Sequence, residues 1–150
     1  MKLIPIPENC EYPTGLAQSF LVDEMLSTYK TYYPQIGFHE PWIGYFIVED
    51  DRAVGTCGFT GAPKDNRVEI AYYTFKENEG RGIATFACKE LVKLALQTNR
   101  GLTVFAKTAP EENASTHILV RNGFVLKGDT HDDGIGRAWE WVLAAMEGWS

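Results

Sequence analysis

The chain has 150 residues, 45% of them apolar and 13% aromatic, which suits one folded domain with a single core. Its formal charge of −6 argues against a general nucleic-acid-binding surface, which needs a basic face. No apolar run is long enough to span a bilayer, and three scattered cysteines, Cys10, Cys57 and Cys88, suit reduced thiols rather than a disulfide framework.

Met1–Pro7 carries one lysine but neither a long apolar stretch nor a cleavage site, so a secretory leader is not expected and a cytoplasmic location is. Residues 1–4 read as a first strand. From Thr14 to Tyr33, Leu16, Phe20, Leu21, Met25, Leu26 and Tyr29 recur at helical spacing, and Pro34 is expected to end that helix. Trp42–Val48 and Ala53–Thr60, joined by the polar turn Glu49–Arg52, read as a hairpin. Gly61–Asn66 is a loop leading into a strand at Val68–Phe75.

A helix starts near Ile83. Its apolar stripe is Ala84, Ala87, Cys88, Leu91 and Ala95, its polar face Thr85, Lys89, Lys93 and Gln97, and its end Asn99–Gly101. Leu102–Lys107 alternates as a strand. Asn113 caps a short helix stopped by Asn122-Gly123. Phe124–Lys127 and Ala138–Leu143 form a last strand pair around the turn-rich Gly128–Gly136. The order β-α-β-β-β-α-β-α-β-β predicts an α/β (α+β) fold, a mixed sheet flanked by helices, over residues 1–150.

The segment Glu79-Gly80-Arg81-Gly82-Ile83-Ala84 joins a strand to a helix. Its glycines let backbone approach a bulky anion, and the helix adds its first-turn N–H groups. No Lys-Ser or Lys-Thr follows the glycines, so it is not a nucleotide-hydrolysing P-loop. On glycine spacing alone, an ordinary loop before a helix remains an equal reading. A second strand-to-helix junction, Thr108–Phe124, contains Asn113, Ser115 and Gly123-Phe124.

Together these segments resemble the GNAT superfamily of acyl-CoA-dependent N-acetyltransferases. The first resembles its pyrophosphate-binding motif Gln/Arg-x-x-Gly-x-Gly/Ala, the second its Asn-x-Ser … Gly-Phe helix. Val68-Glu-Ile-Ala-Tyr72 and Arg137-Ala-Trp-Glu-Trp141 resemble the branch containing the ribosomal-protein N-terminal alanine acetyltransferases, and the likeness spans residues 42–143. It implies a mostly antiparallel sheet with a V-shaped splay between two parallel central strands. Acetyl-CoA is the implied co-substrate, and no metal is expected. Tyr73 and Thr74 would lie beside the pantetheine arm. Glu79, Gly80, Arg81, Gly82, Ile83 and Ala84 would hold the pyrophosphate, and Thr85 could add a hydroxyl. Asn113 and Ser115 would flank the distal end of the cofactor. Glu79 departs from the motif, and a carboxylate there must point away or pair with Arg81.

Acetyl transfer to an amine needs a base, an oxyanion donor and a proton for the departing thiolate. Glu69 is the candidate base, with an ordinary solvated carboxylate as the equal alternative. The family's usual acid is a tyrosine four residues before the Gly-Phe glycine, and here that position is Leu119. The branch resemblance points to Ser115 instead, although a capping role fits its residue type, and Tyr72 and Tyr73 are alternatives. A backbone N–H at a bulge near Tyr73 is expected to polarise the thioester carbonyl. His131-Asp132-Asp133-Gly134 reads as a turn, and Trp139 and Trp141 as sheet packing. The expected acceptor is a small-molecule or peptide amine, with no nucleic-acid or membrane partner, and the chain a monomer or homodimer. The alternative is a non-catalytic acyl-CoA-binding or sensing domain, which Leu119 favours.

Overall fold

The computed structural model describes residues 1–144, and the expected order of elements is found there. It runs β1 (Lys2–Pro5), α1 (Phe20–Ile36), β2 (Gly44–Glu49), β3 (Arg52–Phe59), β4 (Arg67–Thr74), α2 (Ile83–Thr98), β5 (Thr103–Thr108), α3 (Ala114–Arg121), β6 (Phe124–Asp132) and β7 (Gly136–Leu143). The strands form a seven-stranded sheet in the order β1-β2-β3-β4-β5-β7-β6, in which only β4 and β5 run parallel.

Strand alternation puts Val68 and Ile70 on the face covered by α2 and sends Glu69, Ala71 and Tyr73 to the other face. The apolar stripe of α2, including Ala87, Cys88, Leu91 and Ala95, is fully buried against that first face. α1 lies across the opposite face, where Met25 Sδ approaches Thr56 Oγ1 at 4.0 Å. Cys57, paired with Tyr72 on the α2 face of the sheet, and Cys88 on α2 are both buried, and burial pushes both thiols up.

The parallel pairing of β4 with β5 covers only Arg67↔Thr103, Val68↔Val104 and Glu69↔Phe105. Beyond Glu69, β4 continues against β3 as far as Thr74, while β5 turns its pairing to β7. The two central strands therefore part in a V, as the resemblance implies.

Three local expectations are corrected. α1 starts at Phe20, not Thr14: Gly15 has φ +83°, and the Ser19 hydroxyl accepts from Val22 N at 3.1 Å as the true N-cap. Pro34 lies inside α1 rather than ending it, because in an exposed last turn its missing N–H removes a single helical bond. β6 runs on to Asp132, since a bulge between Leu126 and Gly128 lets the hairpin absorb an extra residue and keep pairing. The turn of that hairpin is held by Asp132 Oδ2, which accepts from Gly134 N and Ile135 N.

Tyr33 ties α1 to two strands. Its hydroxyl donates to Ile6 O at 2.6 Å and accepts from Gly44 N at 3.2 Å, all buried. Tyr33→Phe keeps the ring but strands both backbone groups, which is expected to lower stability by about 1–3 kcal/mol in urea unfolding without altering the secondary structure.

Candidate functional site

The three helices treat their N-termini differently. α1 is capped by Ser19, and α3 by a reciprocal box: Asn113 Oδ1 accepts from Thr116 N at 3.1 Å, and Thr116 Oγ1 from Asn113 N at 3.0 Å. α2 starts after Gly82, which has no side chain to offer, and the first helical bond comes from Phe86 N to Gly82 O. The N–H groups of Ile83, Ala84 and Thr85 thus point outward together at the positive end of the helix dipole. Gly80 and Gly82 have φ +79° and +76°, left-handed values that bend the chain around this point.

A cavity of about 490 Å³ opens in front of these amides, within the size range of small-molecule sites. β4 lends it Tyr72, Tyr73 and Thr74; the turn and α2 lend it Glu79, Gly80, Gly82, Ile83, Ala84 and Thr85. α3 closes it with Ala114, Ser115, His117, Ile118 and Arg121. The sequence-derived residues are therefore brought together, with three exceptions: Glu69, on the other face of the sheet, Arg81 and Asn113. Arg81 turns to the other side and ion-pairs with Glu49, so it does not neutralise Glu79. Asn113 spends its side chain on the α3 cap and does not line the cavity.

Arg121, which was not anticipated as a cavity residue, lines the cavity together with His117. Their signal is their spacing of four, which puts them on one helical face two residues beyond Ser115. Ser115 is half-buried and lines the cavity, and Asn113 and Thr116 already perform the capping, so its hydroxyl is not spent on the cap. Leu119, at the family's tyrosine position, is fully buried and offers nothing to the cavity. Tyr72 crosses the V, and its hydroxyl donates to Ser115 O at 3.2 Å. Burial holds that phenol protonated far above its ordinary range.

The bulge expected near Tyr73 is absent. β3 and β4 stay in one register from Phe59↔Ile70 to Gly55↔Thr74, with flanking bonds from Thr60 N to Glu69 O and Phe75 N to Val54 O. Odd-numbered residues of β4 thus bond to β3, and the N–H groups of Ile70, Tyr72 and Thr74 point toward the V instead. Unbroken alternation, not a bulge, aims backbone donors into the gap.

On the opposite face, Glu69 is partly buried at the closed end of the V, and its carboxylate accepts from Thr60 Oγ1 at 3.0 Å. Burial raises its pKa. The Thr60 hydrogen bond and Lys107 oppose that shift, while Asp132 and Glu140 add to it. Arg67, stacked over Phe105 at 4.2 Å, pairs with Glu140 at 3.0 Å. Lys107 donates to His131 O at 3.0 Å.

The model of the acetyltransferase (GNAT) domain matches residues 9–125. A ribosomal-protein-serine acetyltransferase of Escherichia coli strain K12 is 25% identical over 126 residues, covering 79% of this chain and 70% of its own. The crystal structure of the ribosomal-protein-S5-alanine acetyltransferase from Vibrio fischeri superposes with a TM-score of 0.62 at 14% identity, over 90% of this chain and 79% of its own. A Salmonella typhimurium structure, yncA, solved with its cofactor acetyl-CoA, gives a TM-score of 0.58 at 17% identity, over 81% and 71%.

A Cβ built at Gly82 meets no protein atom within 4 Å, so a larger residue there would obstruct a ligand, while its φ of +76° would strain any β-branched side chain. Gly82→Val is expected to abolish acetyl-CoA binding in calorimetry while the protein stays folded by circular dichroism. Arg121→Ala is expected to weaken that binding roughly tenfold, about 1.4 kcal/mol, with a smaller effect at high salt.

Proposed function

Because the chain belongs to the GNAT family of acetyltransferases, we propose that it moves an acetyl group from acetyl-CoA to a primary amine by direct attack, with no covalent enzyme intermediate. The observation that carries this reading is the uncapped start of α2, opening on the same cavity as Ser115 at the carboxyl end of a splayed strand. The first-turn amides of α2 would hold the pyrophosphate, and Arg121 would add a cation. Tyr73 and Thr74 would flank the pantetheine arm. The N–H groups of Tyr72 and Thr74 would take the place of a missing partner strand toward its amides and carbonyls.

Glu69 is the base, acting through water, since three residues of strand, roughly 10 Å, separate it from Tyr72. It takes a proton from the ammonium form of the acceptor. The amine nitrogen then attacks the thioester carbon, and the carbonyl electron pair moves to oxygen, where Tyr72 N–H donates to it. As the tetrahedral intermediate collapses, the carbon–sulfur pair leaves on sulfur. The Ser115 hydroxyl gives that sulfur its proton and regains one, through water, from the nitrogen. The sum is amide, thiol and one proton, which Glu69 releases to water. The Tyr72 hydroxyl, tied to Ser115 O, keeps the first turn of α3 aimed into the gap. The thiols of Cys57 and Cys88 are buried and held protonated, which supports direct attack over a thioester on the enzyme.

The base must be ionised to work, and burial raises its pKa, so the rate should fall as pH drops through a value above the ordinary carboxylate range. Glu69→Gln is expected to lower kcat about 10²–10⁴-fold, to erase this acidic limb and to leave acetyl-CoA affinity unchanged. A limb that persists in the variant would remove Glu69 as the base. Thiol release absent across a broad amine panel, with acetyl-CoA still bound, would favour a non-catalytic acyl-CoA-binding domain.

A further inference from the structure

The face of the sheet away from α2 carries a second, smaller depression that meets the acyl-donor cavity, since Tyr72 and Tyr73 line both. Its floor holds two residues with little or no side chain, Gly58 and Ala71, set side by side by strand register. A Cβ at Gly58 would run into the backbone of Ile43 and Gly44, and the neighbouring Gly44 is covered by the Tyr29 ring. α1 supplies the wall, Tyr29 and Tyr32, whose ring centroids lie 5.5 Å apart edge to face. The rows on either side bear longer side chains, Thr56 with Tyr73 at one end and Thr60 with Glu69 at the other.

The depression is thus a slot that runs along β3 from Thr56, beside the donor end, to Thr60, whose hydroxyl donates to the Glu69 carboxylate. Four residues of strand make it roughly 13 Å long. Its volume is about 120 Å³, well under the usual size of a drug-like site and equal to roughly four waters. That is room for about one short carbon chain. The strands of its floor pair on both sides apart from the β4 edge that faces the V, so a peptide backbone finds no free edge inside it. Burial, then the charges of Glu69 and Asp132, raises the pKa of Tyr32.

We propose that this slot selects an unbranched aminoalkyl chain and rejects amines branched at the carbon next to nitrogen, peptide N-termini included. An α-branched amine carries two diverging arms at the point where the slot holds one. The aliphatic chain would lie over Gly58 and Ala71 against the Tyr29 and Tyr32 rings. The inference rests on the acetyl-transfer reading above and narrows its acceptor.

Thiol release from acetyl-CoA tests it with four acceptors: n-pentylamine, Nα-acetyl-lysine amide, 2-aminopentane and a peptide beginning Ser-Ala. The two unbranched amines are expected to exceed the branched ones by roughly tenfold or more in kcat/KM. Activity with n-pentylamine alone identifies a small free amine, and activity with the blocked lysine identifies a protein side chain; both carry the same aminoalkyl chemistry. Ala71 is exposed, so Ala71→Leu should fold. It is expected to raise the KM for the unbranched amine roughly tenfold while the acetyl-CoA Kd, measured by calorimetry, stays put. Equal or better turnover of the branched amines, or an unchanged KM in Ala71→Leu, overturns the proposal and leaves acetyl transfer standing. No thiol release with any amine, despite bound acetyl-CoA, overturns both.

Discussion

β4 gives up its partner β5 after Glu69 and Phe105, and both cavities take their shape from that parting. Parallel strands joined by a crossover helix usually stay paired and covered on both faces. Here β5 is drawn into antiparallel pairing with β7 while β4 is held against β3, so a wedge of unpaired backbone opens between them. An unpaired edge inside a fold is costly unless something satisfies it. A ligand with amide groups along its length is suited to that task.

The acyl donor is an anion and this chain is acidic, so attraction must be local. Glu79 lines the cavity in front of α2, and the neighbouring Arg81 is committed to Glu49 on the far side. What remains is directional: amides of the first turn of α2, two left-handed glycines and Arg121 from another helix. In the proposed function such a site would recognise the shape of a pyrophosphate as much as its charge, because oriented dipoles fade over a shorter range than ions do.

Most of this architecture was legible from periodicity. The stripe Ala84 to Ala95 announced α2, and the glycines before it announced a left-handed approach to a helix. Pro34 and β6 were misread because each depends on context. A proline is tolerated where a helix is ending in solvent, and a bulge around Lys127 breaks the alternation by which a strand is detected. The bulge foreseen at Tyr73 failed for a different reason. The regular register of β3 with β4 already turns alternate amides of β4 into the gap, so no irregularity is needed. The partners of Arg81 and Tyr72 are 32 and 43 residues away, distances over which local patterns carry no information. The slot over Gly58 and Ala71 was equally hidden, since only strand pairing sets those two side by side.

The bare start of α2 has a thermodynamic side as well. A missing N-cap costs a helix about 0.5–2 kcal/mol, and the bound pyrophosphate would act as that cap. Donor binding and the folding of this turn are then one linked equilibrium: a ligand at a hundred times its Kd adds about 2.7 kcal/mol to the folded state. The protein would be at its sturdiest when acetyl-CoA is plentiful and most open to proteolysis at residues 79–85 when it is scarce. Its lifetime in a cell would then follow the supply of the molecule it consumes.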